Sequence, residues 1–128
     1  MCIRDRSITY HFCQRGLLDK QIERFRTAYG AKRDVMLNTL DRFFPASVEW
    51  TKPEGGMFIW ATLPEEVDAL DVLKRAVEYK VSFVAGYLFY PDAESAPKNE
   101  MRLSFVTLDE AKTVEGIERL GKAVKEFM

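Results

Sequence analysis

Arg102 sits in the run Met101-Arg102-Leu103-Ser104-Phe105, with apolar residues on both sides of it. A guanidinium placed there is costly to bury unless something anionic meets it. Its planar fork of donors suits a carboxylate, which it can grip through two parallel hydrogen bonds. Arg102 is therefore the candidate binding residue. The structural alternative is an internal ion pair with one of the 20 acidic residues, or plain exposure on an open sheet face. That is the commoner fate of an arginine in a strand.

Other reactive side chains carry weaker signals. His11 is the only histidine, between Tyr10 and Phe12, and with no carboxylate or nucleophile beside it reads as structural. Cys2 and Cys13 have neither metal nor redox spacing, and such cysteines fit a reducing compartment. Lys20, Lys32, Lys52, Lys74 and Lys80 fall in helix or turn contexts, and none is nominated as a nucleophile.

The elements that must position Arg102 are marked by periodicity and punctuation. Thr51–Leu63 is the central stretch: Pro53 and Gly55-Gly56 make a turn, and the apolar run Met57-Phe58-Ile59-Trp60-Ala61 follows as a strand. No polar residue interrupts that run, so both its faces are expected to be covered. Val48-Glu49-Trp50-Thr51 alternates and reads as its hairpin partner, the pair lying mid-sheet. Leu18, Ile22, Phe25, Tyr29, Val35, Met36, Leu40 and Phe43 recur at helical spacing from Leu17 to Phe43, with Gly30 inside as a point of bending and Pro45 as the stop. Ser7–Arg15 fits the tail of an earlier helix. A further helix is predicted over Val67–Tyr79, with Val67, Leu70, Leu73, Ala76 and Val77 as its apolar stripe. Val81–Val84 reads as a strand ended by Gly86, and Pro91–Lys98 as a polar, mobile loop. Met101–Val106 alternates, with Met101, Leu103 and Phe105 on one face and Arg102 and Ser104 on the other. Thr107 and Glu110 form a capping-box pattern before a last helix carrying Val114, Ile117, Leu120, Val124 and Phe127.

The order α-β-β-α-β-β-α implies an α+β fold. It has a small mixed or antiparallel sheet of four strands, helices on one face, and a long connector helix in front. The 128 residues make one domain's worth of chain, 47% apolar and 30% charged, with a net charge of −1. That balance argues against nucleic acid or an anionic membrane as partner. From Arg15 to Arg33 six basic residues meet only Asp19 and Glu23, as the solvated side of a helix does. No transmembrane span or signal peptide is visible, and a cytoplasmic protein is expected.

Met1–Arg6 (Met-Cys-Ile-Arg-Asp-Arg) resembles the translation of a transposon-end adapter. Read so, residues 1–6 are foreign and the authentic chain begins near Ser7, as the C-terminal piece of something longer. A natural short N-terminus is the alternative.

Three pieces occur in order: Tyr29…Lys32-Arg33-Asp34…Leu37, then Lys52-Pro53-Glu54-Gly55-Gly56-Met57-Phe58-Ile59-Trp60, then Asn99-Glu100-Met101-Arg102-Leu103-Ser104-Phe105. Together they resemble the C-terminal part of fold-type I, class I/II aminotransferases, which depend on pyridoxal 5′-phosphate (PLP). The 2-aminoadipate, kynurenine and valine–pyruvate branch is the nearest in look. The resemblance implies that residues 7–45 connect to a PLP-binding large domain and that 46–128 form the small domain. It implies a substrate pair of amino acid and 2-oxo acid, and a homodimer in the full-length protein. It assigns Arg102 to the substrate's α-carboxylate, and Ala85–Phe89 to the border of the pocket. Holding that carboxylate orients the bond to be broken, while PLP serves as electron sink. The family's Schiff-base lysine, its aspartate and its phosphate-binding residues belong to the upstream domain. The chain by itself is expected to be inactive and to bind PLP weakly or not at all. The same module also occurs behind winged helix-turn-helix regulators as an effector sensor, which is the main alternative. A free-standing α+β binding domain is the third.

Overall fold

The computed structural model describes residues 2–128. Helix α1 (Ile3–Gln14) gives way to α2 (Leu17–Phe43) at Gly16, whose φ of 63° lies in the left-handed region. That conformation costs a glycine nothing, so the chain turns within two residues. Ser7–Gln14 thus forms the latter part of α1, as expected, with Arg15 as its C-cap. Of the proposed foreign residues, Met1 lies outside the described residues and Ile3–Arg6 begin α1.

Helix α2 runs unbroken through Gly30 for 27 residues, about 40 Å at 1.5 Å per residue. Its apolar stripe is only half used. Met36 and Leu40 are buried in the core, whereas Leu18, Ile22 and Phe25 are exposed.

Strands β1 (Glu49–Trp50) and β2 (Phe58–Thr62) form the predicted antiparallel hairpin, with Trp50 opposite Ala61. The connection turns at Gly56, where φ is 81°. Helix α3 (Ala69–Glu78) follows, capped by the Asp68 carboxylate, which accepts from the Leu70 N–H at 2.8 Å. Its buried residues are Ala69, Val72 and Ala76. Leu70 and Val77, placed in the predicted stripe, are exposed. The small alanines let α3 lie close to the core and rotate it relative to the stripe read from its larger side chains.

The predicted Val81–Val84 strand shrinks to β3 (Val84–Ala85) because its first residues finish α3. Lys80 takes a φ of 59°, and the N–H groups of Lys80 and Val81 donate to the Val77 and Ala76 carbonyls. A 3₁₀ turn over Gly86–Phe89 leads to the polar loop, and β4 (Glu100–Ser104) enters the sheet. The loop is tied down by the Asp92 carboxylate, which accepts from Glu94 N–H and Ser95 hydroxyl, and by Ala69 N–H donating to the Lys98 carbonyl.

The four strands lie in the order β1-β2-β4-β3 with antiparallel neighbours. The hairpin is therefore not central as a unit: β2 and β4 share five paired positions in the middle, and β1 is an edge. Helix α4 (Glu110–Lys125) closes the fold. The expected Thr107–Glu110 capping box does not form. Asp109 is the N-cap and accepts from Lys112 N–H at 2.8 Å, while the Thr107 hydroxyl bonds that of Ser104. Asp109 is the shorter route to a donor of the first turn once β4 has fixed where the helix begins.

The core lies between one sheet face and α2, α3 and α4. Ile59, Ala61, Met101, Leu103 and Phe105 meet Met36, Leu40, Val72, Ile117, Leu120 and Val124, all buried. Helices α2 and α4 approach so closely that a Cβ on Gly121 would sit 2.8 Å from the Phe43 carbonyl oxygen. The far ends of α3 and α4 are joined by Arg75, which pairs with Glu78 and Glu126, and by the Tyr79 hydroxyl on Glu126.

Candidate functional site

Alternation along β4 sends Met101 and Leu103 into the core and Arg102 and Ser104 to the opposite, helix-free face. Across the ladder Arg102 stands opposite Trp60 on β2 and Val84 on β3. The strand residues sharing its face are therefore Phe58, Trp60, Thr62, Val84, Glu100 and Ser104, with Glu49 of β1 at the far edge opposite Thr62. Because β2 has helices on one side only, the run Phe58–Thr62 is not covered on both faces: Ile59 and Ala61 are buried, while Phe58 is 38% exposed.

The guanidinium carbon of Arg102 lies 4.0 Å from the Phe58 ring centre and 4.2 Å from that of Phe89. Two rings at that distance attract a cation by about 0.5–1 kcal/mol each at an open site. They also limit its rotamers, so the donors are held in place before any ligand arrives. Among the described residues no carboxylate pairs with Arg102 and no acceptor takes a hydrogen bond from it. Of the two structural alternatives, the internal ion pair is absent there, and the position on an open sheet face is the one observed.

Phe89 reaches this position through glycine. A Cβ on Gly86 would meet the Glu100 Cβ at 2.6 Å and the Trp60 ring at 2.9 Å, so only glycine lets the 3₁₀ turn lie on the sheet. Trp60 then packs edge-on against Phe89, with ring centres 5.7 Å apart. Just beyond, the Tyr90 hydroxyl donates to Glu100 Oε2 at 2.7 Å, and this bond to a carboxylate holds the Tyr90 pKa above its ordinary value. Of these neighbours, sequence reading pointed only to the Ala85–Phe89 segment. The roles of Phe58, Tyr90 and Glu100 depend on which strands pair, and local pattern does not encode that.

The three sequence pieces meet in space. Lys32 Nζ donates to the Val106 carbonyl at 2.8 Å, and Arg33 Nη1 to the Pro53 carbonyl at 3.3 Å. Tyr29, Arg33, Glu54, Gly55, Gly56 and Phe105 line one groove of about 470 Å³. The Lys-Arg-Asp piece thus ties α2 to the Gly-Gly turn and to the end of β4.

His11 is exposed on α1 beside Tyr10, and Cys2 and Cys13 are exposed and unpaired. No group of three or more His, Cys, Asp or Glu among the described residues could hold a metal. Nor does the Arg102 face fit PLP. None of its strand residues is a lysine, Lys112 at the neighbouring concavity is paired with Asp109 at 3.3 Å, and the carboxylate of Glu100 is taken by Tyr90.

No family model matches the chain. It is 46% identical over 121 residues to an aromatic-amino-acid aminotransferase of Thermococcus litoralis, covering 94% of this chain and 28% of that protein. It is 42% identical over 109 residues to a 2-aminoadipate transaminase of Thermus thermophilus, covering 85% of this chain and 27% of the relative. Its backbone superposes on the kynurenine aminotransferase of Pyrococcus horikoshii with a TM-score of 0.86 at 45% identity, over 93% of this chain and 29% of that one. The chain belongs with the fold-type I aminotransferases. This aminotransferase-family chain spans less than a third of the length of the relatives it matches. A weaker likeness, 29% over 119 residues and 91% of the chain, joins it to an uncharacterised HTH-type transcriptional regulator of Escherichia coli. No helix among the described residues is long and apolar enough to cross a membrane.

Proposed function

We propose that this chain supplies the substrate-carboxylate clamp of a PLP-dependent aminotransferase, with residues 7–45 as connector and 46–128 as small domain. The single observation that carries the reading is Arg102, without a carboxylate partner among the described residues and held between Phe58 and Phe89 on an open sheet face. A carboxylate brought to the edge of that guanidinium completes two charge-assisted hydrogen bonds, fixing the position of the adjoining carbon. The substrates are an amino acid and a 2-oxo acid. PLP, which supplies the electron sink, is held by other parts of the protein, in a cytoplasmic homodimer. The chain alone does not transaminate, and a stable Schiff-base absorbance from the purified chain with PLP would contradict this.

The test follows the Arg102 Nε–H signal by nuclear magnetic resonance while the chain is titrated with 3-phenylpropionate, a simple carboxylate. A saturable shift that is lost in Arg102→Gln supports the clamp. A wild-type signal that does not respond rejects it. The likeness to a transcription regulator favours a second reading, an effector-sensing domain using the same clamp. A DNA-reading helix in the preceding coding sequence would select it.

A further inference from the structure

Resting on the clamp reading, we propose that Tyr90 is a positioning residue: by holding Glu100, it keeps Arg102 free for an external carboxylate. Glu100 and Arg102 are two residues apart on β4 and project from the same face, with Cα atoms about 6.6 Å apart at the rise of a strand. Side chains of their length span that gap easily. Of the two acidic strand residues on the face, Glu100 shares β4 with Arg102, whereas Glu49, paired with Thr62, lies on β1 with β2 in between. Glu100 is the natural internal partner for Arg102, yet the two do not pair. The Glu100 carboxylate instead accepts from the Tyr90 hydroxyl at 2.7 Å, and its Cβ is pinned beneath Gly86.

One short segment therefore does two jobs. Phe89 packs on the guanidinium, and Tyr90, the next residue, draws away the carboxylate that shares its strand and face. Without the Tyr90 hydroxyl, the Glu100 carboxylate loses its only hydrogen-bond donor among the described residues. A carboxylate released beside an unpaired guanidinium pairs with it, and an incoming ligand must then compete with an internal one.

The experiment uses the full chain, with the Arg102 Nε–H signal as reporter and 3-phenylpropionate as probe. Before any probe is added, Tyr90→Phe should move the Arg102 signal to an ion-paired position, and Tyr90→Phe combined with Glu100→Gln should return it. The apparent Kd for the probe should rise about threefold to tenfold in Tyr90→Phe, the size of one lost hydrogen-bond constraint, and return in the double variant. A merely structural Tyr90 would leave the double variant as weak as the single one. An unmoved Arg102 signal in Tyr90→Phe, or no rescue by Glu100→Gln, overturns the proposal while leaving the clamp intact. If the wild-type signal ignores the probe, the clamp fails, and the ligand-free shifts still decide whether Tyr90 holds Glu100 away.

Discussion

At the scale of single residues, the useful contrast is between arginines held by carboxylates and Arg102, held by aromatic rings. Arg75 sits against Glu78 and Glu126, and Arg33 against Asp34. Arg102 has aromatic rings instead, which hold a guanidinium without satisfying its donors. Lysine cannot reproduce this geometry, because a point charge on a flexible stem neither stacks flat nor grips a carboxylate with two bonds. Arg102→Lys should weaken probe binding about 10- to 100-fold, in line with hydrogen bonds to a charged group. Its urea midpoint should stay close to wild type, since the residue stands on the open face. Titration and urea unfolding of the same sample check both halves. Asp109 makes a second residue-scale prediction. Asp109→Ala should lower the urea midpoint more than Thr107→Ala does, because Asp109 carries the cap that sequence pattern assigned to Thr107.

Elements meet where side chains are smallest. Gly121 lets α4 lie against the end of α2, and Gly86 lets the 3₁₀ turn lie on Trp60 and Glu100. Gly121→Ala forces backbone to move, because the atom in the way is a carbonyl oxygen rather than a flexible side-chain end. A loss of about 1–3 kcal/mol is expected on chemical unfolding, the usual cost of overpacking. Helix α2 should behave as two halves. Around Met36 and Leu40 it is buried, whereas Leu18, Ile22 and Phe25 lie open. Amide exchange should be faster over residues 17–30 than over 35–43, since opening the first half exposes little new apolar surface. Equal protection along the whole helix would show that the exposed half is covered in solution.

For the molecule as a whole, that open stripe and the acid side of the stability curve are the accessible properties. Leu18, Ile22 and Phe25 form an apolar surface on one helix face, of the kind that drives association. Sedimentation velocity should find concentration-dependent self-association, reduced by Phe25→Glu. Several carboxylates have depressed pKa values: Asp109 chiefly through the Lys112 N–H, Glu126 through Arg75, and Glu118 through Lys122. The unfolded chain therefore binds more protons in the acid range than the folded one does. Their stabilisation is fully present above the ordinary carboxylate pKa. It is lost as the pH falls through the depressed folded values. Thermal melts should show a falling Tm below about pH 4.5, where unfolded carboxylates begin to protonate.

Chain-local physics determined a good part of this protein. The spacing of Leu18 through Phe43 and the stop at Pro45 predict α2 with its observed ends, because helix periodicity and proline act within a few residues. The alternation Met101-Arg102-Leu103 places Arg102 on the face opposite the core, and the Gly55-Gly56 turn makes the hairpin. Three short pieces sufficed for the family resemblance. Tertiary structure decided the rest. Whether the Phe58–Thr62 run is covered on one face or two depends on where the helices pack, not on the run itself. The shortening of β3 and the shift of the α4 cap follow from neighbouring elements claiming the same backbone groups. The setting of Arg102 was the furthest from reach. Phe58, Phe89, Tyr90 and Glu100 gather around it only because β4 pairs between β2 and β3 and Gly86 lets the turn close over them. Such contacts are set by strand order, which a one-dimensional pattern does not carry.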